Sequence, residues 1–223
     1  KMQRKAILRA GFDKLANSKV LKSLTENKYT RYFFQTSQAI DLVFGGAKVN
    51  ALPEVTTLIV NHRIALESSV KEVSERFTLR VAKLAEKHGV GLTAFGKKIS
   101  EPTENGEFII DYFSHTLEPA PISPSEWKSW EYFTGVIKHV FEDLVFPGLD
   151  YPIITAPAIM SANTDTRHYW NLTDNIYRFS PSFSTNLMKD SRVHTVDERV
   201  RVDAHLQLVT FFYEYLQALN KAV

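Results

Sequence analysis

The 223-residue sequence contains no cysteine. This absence excludes disulfide bonds, thiolate zinc sites and cysteine nucleophiles, so a bound metal would have to be held by His, Asp or Glu. The HExxH zinc signature, the glycine-rich phosphate loop and the GxSxG nucleophile turn are also missing. No segment approaches the roughly 20 unbroken apolar residues of a membrane-spanning helix. With 44% apolar and 23% charged residues, the composition is that of a folded protein of one or two domains.

Charge is distributed unevenly along the chain, although the net charge is only +2. Residues 1–31 carry nine Lys or Arg against two acidic residues, a local charge of +7, which leaves −5 for the rest. The opening letters KMQRKAILRAGF lack the apolar core of a signal peptide, although a targeting segment could precede them. A basic arm with interspersed apolar residues is typical of a surface helix pair, and less often of a membrane-surface or nucleic-acid element. We therefore expect no nucleic-acid partner and no membrane span in this chain.

The pattern of the first half predicts the order strand, strand, helix, strand, which suits a small α+β sheet with a helix on one face. The helix has the clearest signals: Ser69 and Glu72 form a capping box at its start, and Gly89 ends it. Asn105-Gly106 predicts a turn before a further strand. The predicted strands cover residues 32–44, 55–66, 89–99 and 108–113.

Three prolines in residues 114–124 predict a hinge, and we place the domain boundary there, between 1–115 and 116–223. Beyond the hinge, Ser123 with Glu126 predicts the start of a helix. Two apolar segments predict strands, and a polar stretch between them predicts a loop or short helix. A long helix is expected to end the chain. The two strands are predicted over 151–160 and 175–181, the polar stretch over 163–173 and the last helix over 194–219. This order is typical of an α/β layer.

Asn50 and Arg63 form the first of three candidate polar clusters. A guanidinium group binds a carboxylate through two parallel hydrogen bonds, and an amide side chain adds a donor, so the pair could clamp an anion. An ordinary surface ion pair between Arg63 and Glu54 or Glu67 is the alternative.

The other two clusters are Asp165 with Arg167, and His194 with the acidic residues that follow it. Asp165 and Arg167 suit either a substrate contact or a turn closed by a salt bridge. A carboxylate-rich loop can orient an imidazole for metal binding, although a histidine near a helix start is more often a cap or a surface residue.

Several motifs, in the right order, resemble one family. GGAKVNALPEVTTLIVNHRI is similar to the dimerisation-domain signature of the zinc-dependent aminoacylase and carboxypeptidase family. PAIMSANTDTRHYW, NIYRFSP and VHTVDERV resemble the closing segments of its catalytic domain. The resemblance is nearest to the vacuolar carboxypeptidases of that family and extends from Arg4 onward.

The resemblance implies a role for each candidate residue. His194 falls on the family's last zinc ligand, at a site that holds two Zn²⁺ ions. Asn50 and Arg63 fall on dimerisation-domain residues that hold the substrate's carboxylate and neighbouring carbonyl, often in the partner subunit's active site. Asp165 and Arg167 match a segment that contacts substrate. The implied fold is α/β, an α+β lid over residues 1–115 and part of an α/β catalytic domain over 116–223.

The resemblance also implies what the 223 residues do not contain. The family's His-x-Asp segment, its metal-bridging aspartate and its Glu-Glu pair, which supplies the general base, are absent from this sequence. We therefore expect a truncated portion with an N-terminally incomplete lid, no catalytic residue of its own and little or no activity alone.

The implied parent is a zinc metallocarboxypeptidase of the vacuolar lumen. It would release a C-terminal amino acid from short peptides or N-acyl amino acids and form a homodimer through the lid. An amidase or synthase of N-acyl amino acids shares every residue quoted above. A non-catalytic dimerisation or interaction module is the third alternative.

Overall fold

The computed structural model describes residues 2–27, 30–160, 162 and 164–222. The chain forms two compact units, Lys1–Ala120 with Met160–Asn163 and Pro121–Ile159 with Thr164–Val223. Helices and two small sheets confirm the mixed α/β class. None of the described helices is both long enough and apolar enough to cross a bilayer.

The basic arm at the start of the first unit forms the expected pair of helices. They are α1 (Met2–Arg9) and α2 (Lys14–Glu26), followed by the short α3 (Arg31–Phe34). Asp13 caps α2, because its carboxylate accepts the Leu15 and Ala16 N–H groups at 3.0 and 3.1 Å. The backbone bond from Ala16 is the main cause that lowers the pKa of Asp13.

A two-stranded antiparallel ribbon follows, formed by β1 (Ser37–Gly45) and β2 (Thr56–Arg63). Both strands were predicted, although residues 32–34, at the start of the first predicted segment, are helical. The register pairs Ser37 with Arg63 at one end of the ribbon and Gly45 with Thr56 at the other. It shifts between Ile40 and Leu42, which marks a β-bulge.

The predicted capped helix is α4 (Val70–His88). Ser69 Oγ accepts the Glu72 N–H at 3.2 Å, but the Glu72 carboxylate accepts from Ser68 Oγ instead of closing the box on Ser69. The Glu118 carboxylate accepts the Val70 N–H at 2.9 Å and places a negative charge at the helix N-terminus, where it is favourable. Gly89 ends the helix in the left-handed conformation, with φ 62°.

A three-stranded sheet follows α4 and contains β3 (Gly91–Ala94), β4 (Lys97–Ser100) and β5 (Glu107–Ile110). β3 lies in the centre, antiparallel to β4 and parallel to β5. The prediction of one strand over 89–99 is therefore wrong. Phe95 and Gly96 have φ values of 49° and 74°, and this left-handed pair turns the chain into a hairpin.

The second unit contains α5 (Lys128–Lys138), α6 (Leu187–Asp190) and α7 (Val202–Ala222). A π-helical segment, His139–Val145, extends α5, and α7 packs against both. The buried core of this unit consists of Phe133, Val136, Ile137, Val140, Phe141 and Phe211.

Three predictions for the second unit are wrong. Its first helix begins after the N-cap Trp127, because Ser123 Oγ donates to the Ile176 carbonyl instead of capping the helix. Residues 151–160 and 175–181 form no strand within the part that the structure describes. Their β-prone side chains favour an extended backbone, but a strand also needs a partner, and Tyr177 OH instead donates to the Pro124 carbonyl at 2.8 Å. The last helix begins at Val202, which leaves residues 194–201 outside it.

Candidate functional site

Arg63 ends β2 on the face of the ribbon that lies opposite α4. Side chains alternate between the two faces of a strand, so Val60 and His62 share one face while Asn61 and Arg63 share the other. The His62 ring meets the edge of Phe77 of α4, with centroids 5.6 Å apart. This contact identifies the face that α4 covers, and Arg63, which is exposed, projects from the other.

Asn50 lies in the loop that joins β1 to β2, at the far end of the ribbon from Arg63. Seven residue steps separate Thr56 from Arg63, or about 23 Å along the strand. The loop does not fold back onto the ribbon, since Val49 and Leu52 in it are almost fully exposed, at 110% and 96%. Within one chain, the structure therefore does not bring Asn50 and Arg63 together.

Asp165 and Arg167 lie on a single 3-10 turn, Asp165–His168. Thr164 begins the turn, and its hydroxyl accepts the Thr166 N–H at 3.4 Å. Arg167 Nε lies 3.2 Å from His168 Nε2. Asp165 and Arg167 are both exposed, which leaves them accessible to a ligand.

His194 lies in an exposed loop that precedes α7. Its backbone has φ 61°, and its N–H donates to the Glu198 carboxylate at 3.3 Å. The carboxylate of Asp197 pairs with Arg192 at 3.3 Å. In the described residues the two neighbouring carboxylates thus hold the loop itself, and neither bonds to the imidazole of His194.

The described residues do not form a complete metal site by themselves. No three His, Asp or Glu side chains in that part of the chain are grouped so that they could hold a metal ion. A catalytic zinc ion takes about three protein ligands. No hydrogen bond or ion pair in the described ranges joins Asp165 or Arg167 to His194 either. His194 is therefore at most one ligand of a site completed by other residues.

Sequence reasoning overlooked a basic pocket on the α4 side of the ribbon. It is lined by Thr36, Gln38, His62, Val73, Arg76, Phe77 and Arg80. Burial lowers the pKa of His62 below 6.5; a backbone hydrogen bond at Val60 opposes the shift, and the positive charge of Arg80 adds to it. The four α4 residues recur at helical spacing, and that spacing was the only signal in the sequence.

The chain is similar to curated proteins over nearly all of its length. It is 41% identical to carboxypeptidase S of Saccharomyces cerevisiae over 220 residues, which make up 98% of this chain and 38% of that relative. The chain is a homologue of carboxypeptidase S. It is also 38% identical to an uncharacterized carboxypeptidase of Schizosaccharomyces pombe, over 89% of this chain and 33% of that protein.

A third homologue has a different activity in its name. It is an N-fatty-acyl-amino acid synthase/hydrolase of Mus musculus, 30% identical over 89% of this chain and 33% of its own length. The chain thus spans about a third of the length of these relatives. No family model matches the sequence, and no solved structure matches it.

Proposed function

We propose that the full-length protein is a zinc-dependent carboxypeptidase. It would hydrolyse the peptide or amide bond that releases a C-terminal amino acid from short peptides or N-acyl amino acids. The observation that supports this most directly is the 41% identity to carboxypeptidase S over 98% of the chain. The homologues' names, carboxypeptidases and an amino acid hydrolase, agree on a peptidase or amidase.

Arg63 is the residue that we propose binds the free carboxylate of the substrate. It is exposed and lies on the open face of the ribbon, where a ligand can reach the guanidinium group. A planar guanidinium binds a carboxylate through two charge-assisted hydrogen bonds. Asn50, at the other end of the ribbon, would contact substrate in the active site of a second subunit. We also propose that Asp165 and Arg167 contact substrate.

For the metal, we propose that His194 supplies one ligand and that residues outside the described ranges supply the others. The general base would likewise come from elsewhere in the full-length protein, so the 223 residues alone would be inactive. Two Zn²⁺ ions per active site, a homodimer formed through the ribbon and a vacuolar location complete the proposal. Homodimerisation is supported by the ribbon itself, which exposes Val43 and Phe44 to 64% and 52%.

The Arg63 proposal is tested by the full-length protein with Arg63→Ala. Loss of a charge-assisted hydrogen bond of about 1.5 to 3 kcal/mol should raise KM for free-carboxylate substrates about 10- to 150-fold. Substrates with an amidated C-terminus should be turned over slowly, and at the same rate by the unsubstituted protein and by the Arg63→Ala variant. Lys71→Ala is the matched control, because it removes an exposed cation from α4 and should leave KM unchanged. An Arg63→Ala variant with unaltered KM for free-carboxylate substrates would refute the assignment.

The His194 proposal is tested by His194→Ala in the full-length protein. We expect the variant to lose bound zinc, measured by atomic emission, together with activity, because one ligand of a catalytic zinc is removed. His205→Ala, on α7, is the control and should retain both. Full zinc content in the His194 variant would contradict the role.

A second candidate function is hydrolysis or synthesis of N-acyl amino acids, and the 30% identity to the synthase/hydrolase of Mus musculus favours it. The two functions differ in the group attached to the released amino acid. Turnover of a Gly-Xaa dipeptide should be compared with that of an N-oleoyl amino acid bearing the same carboxylate. A strong preference for the oleoyl substrate would support the second function, and no turnover of either would support a non-catalytic interaction module.

A further inference from the structure

The pocket between the ribbon and α4 combines an apolar floor with a rim of hydrogen-bond donors. Val73 and Phe77 are half-buried and form the floor. Arg76 and Arg80 are exposed on the same face of α4, one turn apart. The strand register then places Gln38 directly opposite His62 across the ribbon.

The residues that line the pocket do not neutralise its positive charges. Its lining contains no carboxylate. Within the part of the chain that the structure describes, neither Arg76 nor Arg80 forms an ion pair. Two guanidinium groups therefore face the same concave surface without a neutralising partner, although Arg side chains are well suited to planar, bidentate recognition of oxyanions.

Neutral donors complete the arrangement. Thr36 Oγ1 accepts the Ala65 N–H at 3.0 Å, which leaves its own hydrogen available for donation. The Gln38 amide is exposed at the rim. The donors thus include charged and neutral groups, as in a site that surrounds an anion from several directions.

We propose that this pocket binds a small oxyanion, either phosphate or a carboxylate, between Arg76 and Arg80. The anion would supply the negative charge that the lining lacks. Because Arg63 projects from the opposite face of β2, the pocket and the proposed substrate-carboxylate residue use different faces of the ribbon.

His62 couples this site to pH. The charged groups that face its ring are Arg76 and Arg80 from α4, while β1 and the segment before it contribute only the uncharged Gln38 and Thr36. Burial and the charge of Arg80 lower the His62 pKa, so the imidazole is neutral near pH 7. A bound anion favours the imidazolium form and raises that pKa. An anion whose own charge stays constant should therefore bind more tightly as pH falls.

The test is a titration of the 223-residue chain with inorganic phosphate, followed through the imidazole signals of His62 by NMR. We expect a saturable shift and a His62 pKa that rises in the presence of phosphate. A parallel titration with acetate distinguishes a phosphate ligand from a carboxylate ligand. Binding of phosphate alone assigns a phosphate site, and comparable binding of acetate assigns a general carboxylate site.

Paired variants make the result specific. Arg76→Gln with Arg80→Gln should weaken phosphate binding by about tenfold or more, because charge-assisted hydrogen bonds are lost. Lys71→Gln with Lys97→Gln removes the same two charges from exposed positions of the same unit and should leave the affinity within about twofold. His62→Gln should retain phosphate binding, because both guanidinium groups remain. Circular dichroism checks that each variant is folded.

Two outcomes would overturn the proposal. One is the absence of a saturable shift with either anion up to about 10 mM, a very weak affinity. The other is an equal loss of affinity in the arginine and lysine variants, because it would show that the net charge of the unit, and not this pocket, attracts the anion.

Discussion

Phe211 is the side chain whose loss should cost the second unit most. It is 2% exposed, and its ring lies 5.3 Å from Phe179, 5.7 Å from Tyr215 and 6.0 Å from Phe133. Phe211→Ala removes these contacts and opens a cavity, so we expect the free energy of unfolding to fall by about 3 to 5 kcal/mol. Urea denaturation followed by tryptophan fluorescence measures it, because all three tryptophans belong to this unit.

Phe212 provides the control for that substitution. It is the next residue of the same helix and is 47% exposed, so Phe212→Ala removes the same atoms mainly from solvent. The free energy of unfolding should fall clearly less than it does for Phe211→Ala. If the free energy of unfolding fell equally in the two variants, burial in this core would not determine how much each substitution destabilises the unit.

At the scale of helices and strands, β3 closely approaches a neighbouring segment of backbone. A Cβ atom on Gly91 would lie 2.6 Å from both the Glu101 carbonyl oxygen and the Pro102 Cα, so backbone atoms would have to move. We expect Gly91→Ala to destabilise the first unit by about 1 to 3 kcal/mol, the usual cost of overpacking. Far-UV circular dichroism during urea denaturation measures the change.

Gly11→Ala is the matched control in the same unit. It adds the same methyl group where nothing lies within 4 Å, and its φ is not positive. Stability should therefore stay the same or rise slightly, since alanine restricts the unfolded chain more than glycine does. A Gly91 variant as stable as the Gly11 variant would contradict the close approach.

The elements that were predicted correctly are those whose signals are local. Ser69 and Gly89 delimit α4 because the groups that they satisfy belong to the adjacent turn of the chain. The hairpin at Phe95-Gly96 was missed, since phenylalanine rarely adopts the positive φ that this turn requires. Residues 151–160 and 175–181 were misassigned because strand formation depends on a distant partner, which amino-acid propensity does not encode.

For the candidate site, too, the sequence reveals local features but not contacts between distant segments. Arg63 and His194 stand out in the sequence as members of polar clusters, whereas their roles come from motif resemblance and remain predictions. The separation of Asn50 from Arg63 follows from the strand register, a property of two segments together. The basic pocket likewise depends on the pairing of Gln38 with His62 and on the placement of α4 beside them. Sequence spacing alone does not specify such contacts.

At the scale of the whole chain, the ribbon of the first unit exposes several large apolar side chains. In the ribbon, Ile40, Val43 and Phe44 are 63%, 64% and 52% exposed. In the described residues, β1 pairs only with β2, so its other edge has unpaired backbone groups. An exposed, apolar edge strand is a template for pairing with another chain. This surface accordingly favours self-association of the 223-residue chain.

We expect sedimentation velocity to show self-association that increases with concentration. Val43→Lys should weaken it by about tenfold, because a lysine on an edge strand opposes pairing with a second strand. Leu79→Lys introduces the same charge at a position of α4 that is 66% exposed, and it should leave association unchanged. A monomeric chain at every concentration, or equal effects of the two substitutions, would exclude the ribbon as the contact surface. If only Val43→Lys dissociates the chain, the ribbon is the surface through which two subunits pair, and the proposed homodimer gains a defined interface.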